Sequence, residues 1–345
     1  MLRKISLIAS GFAITAIIFF AIWVNRSVPM PRLDKQDIYY TFLDGQRLTN
    51  GTNPYERVLG SDMRNNNKYA TYFPLFYELS ALSQRLGLES YDSWIDIWGK
   101  IFRLFDLAIA LLLFFAFVAQ KMEWAGILAA VFWLFNRWTL KTVASNNMDF
   151  IPIFFMLAGL VFFPRKKWFS LLLFSISLAF KQFAIFIAPL FLIWLYTSTA
   201  EPRARWHQIL SGTALIASVP FLTSLPFLLW NAEGMFKSIF FSATRAAETH
   251  FAAPSLDTLI GWQGLPARIP MLILILLVYW LAYSGIGKKY TLAFLVIAIF
   301  INFNCVLYEG YMTWFFSLLP LLLADYFTGS FGLSLPNPFS GGSYG

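Results

Sequence analysis

Residues 177–192 read SLAFKQFAIFIAPLFL, and they set a lysine and a glutamine in the middle of the apolar stretch 168–197. A lysine at that depth has two readings. It can snorkel from one long helix, or it can mark the tip of a hairpin between two short spans. The stretch is long enough for two short spans, so Lys181 and Gln182 are read as the hairpin tip. This fixes the span count and the side on which the polar residues gather.

Working outward, apolar runs near the length of a bilayer crossing recur along the whole chain. The 345 residues are 58% hydrophobic, with 38 Phe and 13 Trp. Only 13% are charged, against about a quarter in soluble domains. The first segment, MLRKISLIASGFAITAIIFFAIWV, reads as a retained anchor rather than a cleaved signal. Its apolar core is longer than a signal's, and no small-residue cleavage site follows. Further candidate spans fall at 102–119, 125–140, 149–163, 168–180, 183–197, 208–230, 269–286, 290–307 and 312–328. The expected fold class is all-α: a polytopic membrane protein of about ten transmembrane helices, one domain over 1–328 and a flexible tail over 329–345. Between the first two spans, YATYFPLFYELSALSQRLGL (69–88) and YDSWIDIW (91–98) are too short or too mixed to cross. They suit interfacial helices in the first outer loop.

The net charge of +8 is accounted for by loops. QKMEW, FPRKKW, STAEPRARW and GIGKKY are short and net basic or neutral, and the positive-inside rule puts them with the N-terminus in the cytoplasm. No nucleic-acid module is present. One cysteine, Cys305, permits no internal disulfide, and two histidines exclude a His-rich metal site. Phosphate-loop, dinucleotide and zinc-hydrolase motifs are absent, so no cofactor is expected.

The unusual polar residues fall on the other side. Asp37, just outside the first span, is either a solvated loop acid or a general base. Asp34 and Asp44 are its bland neighbours. Asn53-Pro54-Tyr55 is a turn. Arg103 and Asp106, three apart, suit an interfacial ion pair or a site contact. Asn147 and Asp149 suit helix caps or a site. Lys181 with Gln182 offers a recessed cation, a natural partner for phosphate. Arg245, Glu248 and His250 share a late outer loop, with Arg245 and Glu248 spaced for a local pair. Tyr308 and Glu309 close the ninth span.

The order of an outer acid, GTNPY, YATYFPLFYELSAL, RLFDLAI, NNMDFIP, FKQFAIFIAPL and LYEGYMTWFFSLLP resembles the GT-C superfamily of integral membrane glycosyltransferases. It is most similar to polyprenol-phosphate-mannose-dependent mannosyltransferases, with some likeness to dolichyl-phosphate-glucose-dependent glucosyltransferases. The resemblance implies an inverting transfer of a sugar, mannose favoured, from a polyprenyl-phosphate sugar donor to a lipid or glycan acceptor. It implies an inner-membrane enzyme acting on the extracytoplasmic face among membrane lipids. Asp37 would be the base, and Lys181, Arg245 and His250 would meet the donor phosphate. Tyr40, Asn53, Tyr55, Arg103, Asn147, Asp149, Gln182 and Glu309 would line the substrate. A transporter or flippase of a lipid-linked substrate is the competing expectation, but transporters favour midplane charges and repeats, and neither is visible.

Overall fold

The computed structural model describes residues 2–28, 37–249, 255–262, 265–304 and 306–327. Asp34, His250, Cys305 and the tail 329–345 lie outside the described residues. The fold is all-helical apart from one two-residue strand pair. Four helices among the described residues are long and apolar enough to cross a membrane: Arg3–Ser27, Tyr91–Val118, Pro202–Thr244 and Pro266–Tyr283. Five further apolar helices among the described residues run 10–17 residues. At about 1.5 Å per residue these are shorter than a hydrocarbon core of about 30 Å.

Helix α1 (Leu2–Ser27) packs on α5 (Glu123–Phe135). Helix α2 (Asp37–Thr49) occupies ground that the sequence leaves as loop. It crosses α3 (Leu75–Arg85) closely, because Gly45 has no side chain: a Cβ there would lie 2.7 Å from Ser80 Cβ. Gln84 then reaches the Phe42 carbonyl at 2.9 Å. Between the two helices, Asn53 caps a 3-10 turn over Pro54–Val58 by accepting from the Tyr55 amide. Helix α4 (Tyr91–Val118) is continuous, so YDSWIDIW forms its first two turns and not a separate interfacial helix. Ser90 caps it, and no proline or glycine pair interrupts it.

A short α6 (Arg137–Ala144) follows, capped by Asn136. Helices α7 (Phe150–Phe162) and α8 (Lys167–Phe180) pack against each other, with Ser170 Oγ donating to the Gly159 carbonyl at 2.5 Å. The chain breaks at Lys181, which is extended, and continues as a 3-10 turn over Gln182–Ile187 into α9 (Ala188–Thr197). Phe174 meets Phe191 at a ring distance of 4.7 Å, and Lys167 Nζ meets Ser198 Oγ at 3.0 Å. The chain therefore folds back on itself at Lys181, as a hairpin requires.

Helix α10 (Pro202–Thr244) extends well past residue 230, where the sequence predicts a loop. Asn231 leaves helical geometry, yet its Oδ1 accepts from the Gly234 amide at 2.9 Å. It caps a second helical segment beyond the kink. Strand β1 (Glu248–Thr249) pairs in parallel with β2 (Val306–Leu307), tying the late loop to the start of α14 (Glu309–Phe327). Between them lie α11 (Leu256–Leu259), α12 (Ile269–Tyr283) and α13 (Lys289–Phe303). The core is aromatic and lies among α4, α5, α7, α8, α9, α13 and α14.

Candidate functional site

The first turns of α2 place Asp37, Tyr40, Thr41 and Asp44 on one helical face. This face lines a small polar chamber of about 70 Å³. Opposite it stand Lys68, Tyr69 and Tyr72 from the loop before α3, Ser242 and Arg245 from the end of α10, and Tyr308 and Tyr311. The loop is held by Arg57, whose Nη1 donates to the Lys68 carbonyl at 2.8 Å, and by Gln182, whose Nε2 donates to the Thr71 carbonyl at 2.5 Å. Lys68 Nζ lies 2.8 Å from Asp37 Oδ1. The Asp37 side chain lines the chamber and is 56% exposed. Arg245 donates to Tyr308 Oη at 2.6 Å and pairs with Glu248.

Behind the chamber lies a groove of about 830 Å³ with a largely apolar lining, including Phe73, Ile216, Pro220, Leu228, Met235 and Ile239. Tyr72, Ser242, Arg245 and Tyr311 line both spaces, so chamber and groove share a wall. Lys181 and Gln182 line the groove. Lys181 is buried and ion-paired to Asp149 at 2.5 Å, and its ammonium sits 5.0 Å from the centre of the Tyr72 ring.

The residues expected from sequence separate into three groups. Asp37, Tyr40 and Arg245 meet in the chamber, and Lys181, Gln182 and Arg245 meet in the groove. Asp149 reaches the groove only through Lys181. Its carboxylate makes no cap to α7, contrary to the capping reading, and Asn147 Oδ1 instead accepts from the Asp149 amide at 3.1 Å.

The remaining expected residues line neither space. Asn53 and Tyr55 are buried, and the Tyr55 hydroxyl donates to the Tyr72 carbonyl at 2.7 Å. They brace the site's floor and offer no ring to a ligand. Tyr55 also packs its backbone against Gly234, where a Cβ would come within 3.1 Å of the Tyr55 carbonyl oxygen. Glu309 pairs with Lys141 at 3.4 Å. Arg103 and Asp106 do not form the expected ion pair. Asp106 accepts from Asn25 at 3.4 Å, while Arg103 Nε and Nη2 are buried without a hydrogen-bond partner.

Sequence reading missed Lys68, Tyr311 and Arg268. Arg268 carried a readable signal: it is a basic residue opening a span on the side that the positive-inside rule leaves poor in cations. Lys68 and Tyr311 carried none, since one sits in a polar run and the other in an aromatic one.

Asp44 is the buried acid of the chamber. Burial pushes its carboxyl up to about 6, against the pull of Arg47 at 2.5 Å and Arg57 at 3.9 Å. A carboxyl raised in the folded state binds its proton more tightly there than in the unfolded chain. Stability must therefore fall as pH rises from near 4 to near 6 and level off above that. The difference amounts to a contribution on the order of 3 kcal/mol. Asp44→Asn should flatten this part of the curve, measured by thermal melting in detergent between pH 4 and 7. An unchanged slope would place the titration elsewhere.

No protein-family model, curated protein or solved structure matches this chain.

Proposed function

We propose that this chain is a GT-C-like inverting glycosyltransferase that moves a sugar from a polyprenyl-phosphate donor to a hydroxyl of a lipid or glycan acceptor. The observation that carries the reading is the shared wall: an acid-bearing polar chamber meets a large apolar groove at Arg245, Tyr72, Ser242 and Tyr311. That arrangement suits a substrate with a sugar at one end, a phosphate in the middle and a hydrocarbon chain at the other. The chain of the donor would lie in the groove, its phosphate at Arg245, and its sugar in the chamber.

The reaction then needs few groups. The acceptor hydroxyl attacks the anomeric carbon, and its proton passes to the Asp37 carboxylate. The bond from that carbon to the phosphate oxygen breaks, and the electron pair leaves with the phosphate. Arg245 stabilises the charge that develops there. Attack opposite the leaving group inverts the anomeric centre, and no second carboxylate is needed for a covalent intermediate. In this reading the shorter apolar helices join the four long ones in a bundle of about ten spans. Helices α2 and α3 lie at the outer surface, and the N-terminus faces the cytoplasm, as the basic short loops favour.

The test is a transfer assay. Protein in lipid vesicles is given a synthetic polyprenyl-phosphate mannose, labelled in the sugar, with a lipid extract as acceptor. Label should move from the donor to a new product whose anomeric configuration is opposite to the donor's. Intact donor that redistributes between the leaflets would instead identify a flippase.

A further inference from the structure

Arg268 ends the 3-10 turn Pro266–Arg268 at the start of α12, and its side chain stands in the wall of the apolar groove. It is 6% exposed. One guanidinium nitrogen, Nη2, donates to the Ser242 carbonyl at 2.9 Å, and Nη1 donates to Asn304 Oδ1. The third, Nε, is buried with no hydrogen-bond partner. Among the described residues, no carboxylate lies within 4 Å of the group, although Lys181 and Arg245 on the same groove are matched by Asp149 and Glu248. The groove wall thus carries one cation more than its paired acids neutralise.

A guanidinium cannot shed its proton to escape burial. An unmatched charge in an apolar wall is strongly unfavourable, and an arriving anion removes that penalty. The planar donor set of arginine favours oxyanions of the phosphate type. Ser242 supplies the link: its carbonyl holds Arg268, and the residue lines both the groove and the chamber.

We propose that Arg268, oriented by Asn304 and the Ser242 carbonyl, is an anion subsite that binds the phosphate-type head of an amphiphile whose hydrocarbon chain occupies the groove. The proposal rests on the groove being a lipid-phosphate site, as above, but not on sugar transfer itself.

Dodecyl phosphate and dodecanol are suitable probes, because they share a chain and differ in the head group. Wild-type protein in nanodiscs should bind the phosphate at least about tenfold more tightly than the alcohol. Arg268→Gln should remove most of that preference, leaving only what Arg245 supplies, and Arg268→Lys should keep more of it. Competition by millimolar inorganic phosphate would mark the subsite as open to free anion, whereas displacement by long-chain phosphates alone would mark a lipid head group. Equal binding of the two probes by the wild type overturns the proposal whether or not the variants fold. A full preference surviving in Arg268→Gln overturns it too. A preference lost in Arg268→Gln, in a protein that transfers no sugar, would keep this subsite and remove the glycosyltransferase reading.

Discussion

Asp37→Asn should lower sugar transfer by roughly 10²–10⁴ while leaving donor affinity nearly unchanged, because general-base assistance is worth about that much in rate. The amide keeps the size and the hydrogen-bonding shape of the carboxylate and removes its basicity. The position favours this role over the other acids of the chamber. Asp37 stands on the first turn of α2, is half open, and is oriented by a single lysine, Lys68, at 2.8 Å. Asp44 lines the same space but is buried and engaged by Arg47 and Arg57. A base must reach the substrate proton and then give it up to solvent, and the more open carboxylate can do both. Asp44→Asn should therefore be far milder in turnover at neutral pH, with its main effect on stability above about pH 6, where it removes the cost of the buried ionised carboxylate. Paired measurements of turnover and donor dissociation decide the matter. Near-normal turnover in Asp37→Asn would remove the residue from the mechanism, and a larger loss in Asp44→Asn would move the base about two turns along the same helix.

How far this site could be read from sequence depends on the range of the forces that build it. The break at Lys181 was legible, because a charge inside an apolar stretch is a local conflict that only a few geometries resolve. The 3-10 turn at Pro54 was legible as a turn for the same local reason. Helix α2 was not. Its residues have little overall hydrophobicity, it buries Asp44 and Gly45, and it exists because α3 packs across it. Short helices of this kind take their stability from tertiary contact and not from propensity. The continuation of α10 past Asn231 was hidden in a similar way. Asparagine is a reasonable loop residue, and here it recaps a helix that leans on the Tyr55 turn. The strand pair β1–β2 joins residues far apart in the chain, and nothing local announces it.

The pairing of Lys181 with Asp149 was the most consequential long-range contact, and it changes an expectation. From sequence, Lys181 is a free cation awaiting a donor phosphate, and Lys181→Ala should weaken donor binding while sparing the fold. In the structure both groups are buried and 2.5 Å apart. Removing one member of a buried pair leaves the other unmatched, a loss of about 3–5 kcal/mol. Lys181→Met and Asp149→Leu should each destabilise by that much, a large share of a typical total of about 5–15 kcal/mol. The paired replacement Lys181→Met with Asp149→Leu should recover most of the loss, since an apolar pair of similar volume is often neutral or better. Melting in detergent, with all four forms compared as a double-mutant cycle, measures the coupling. The same four proteins settle what the lysine does for a ligand. The pair presents no net charge to the groove, so the double variant should bind a lipid phosphate within a few-fold of wild type, with Arg245 and Arg268 still in place. A double variant that folds well but has lost the phosphate would restore Lys181 to the role that the sequence alone suggests.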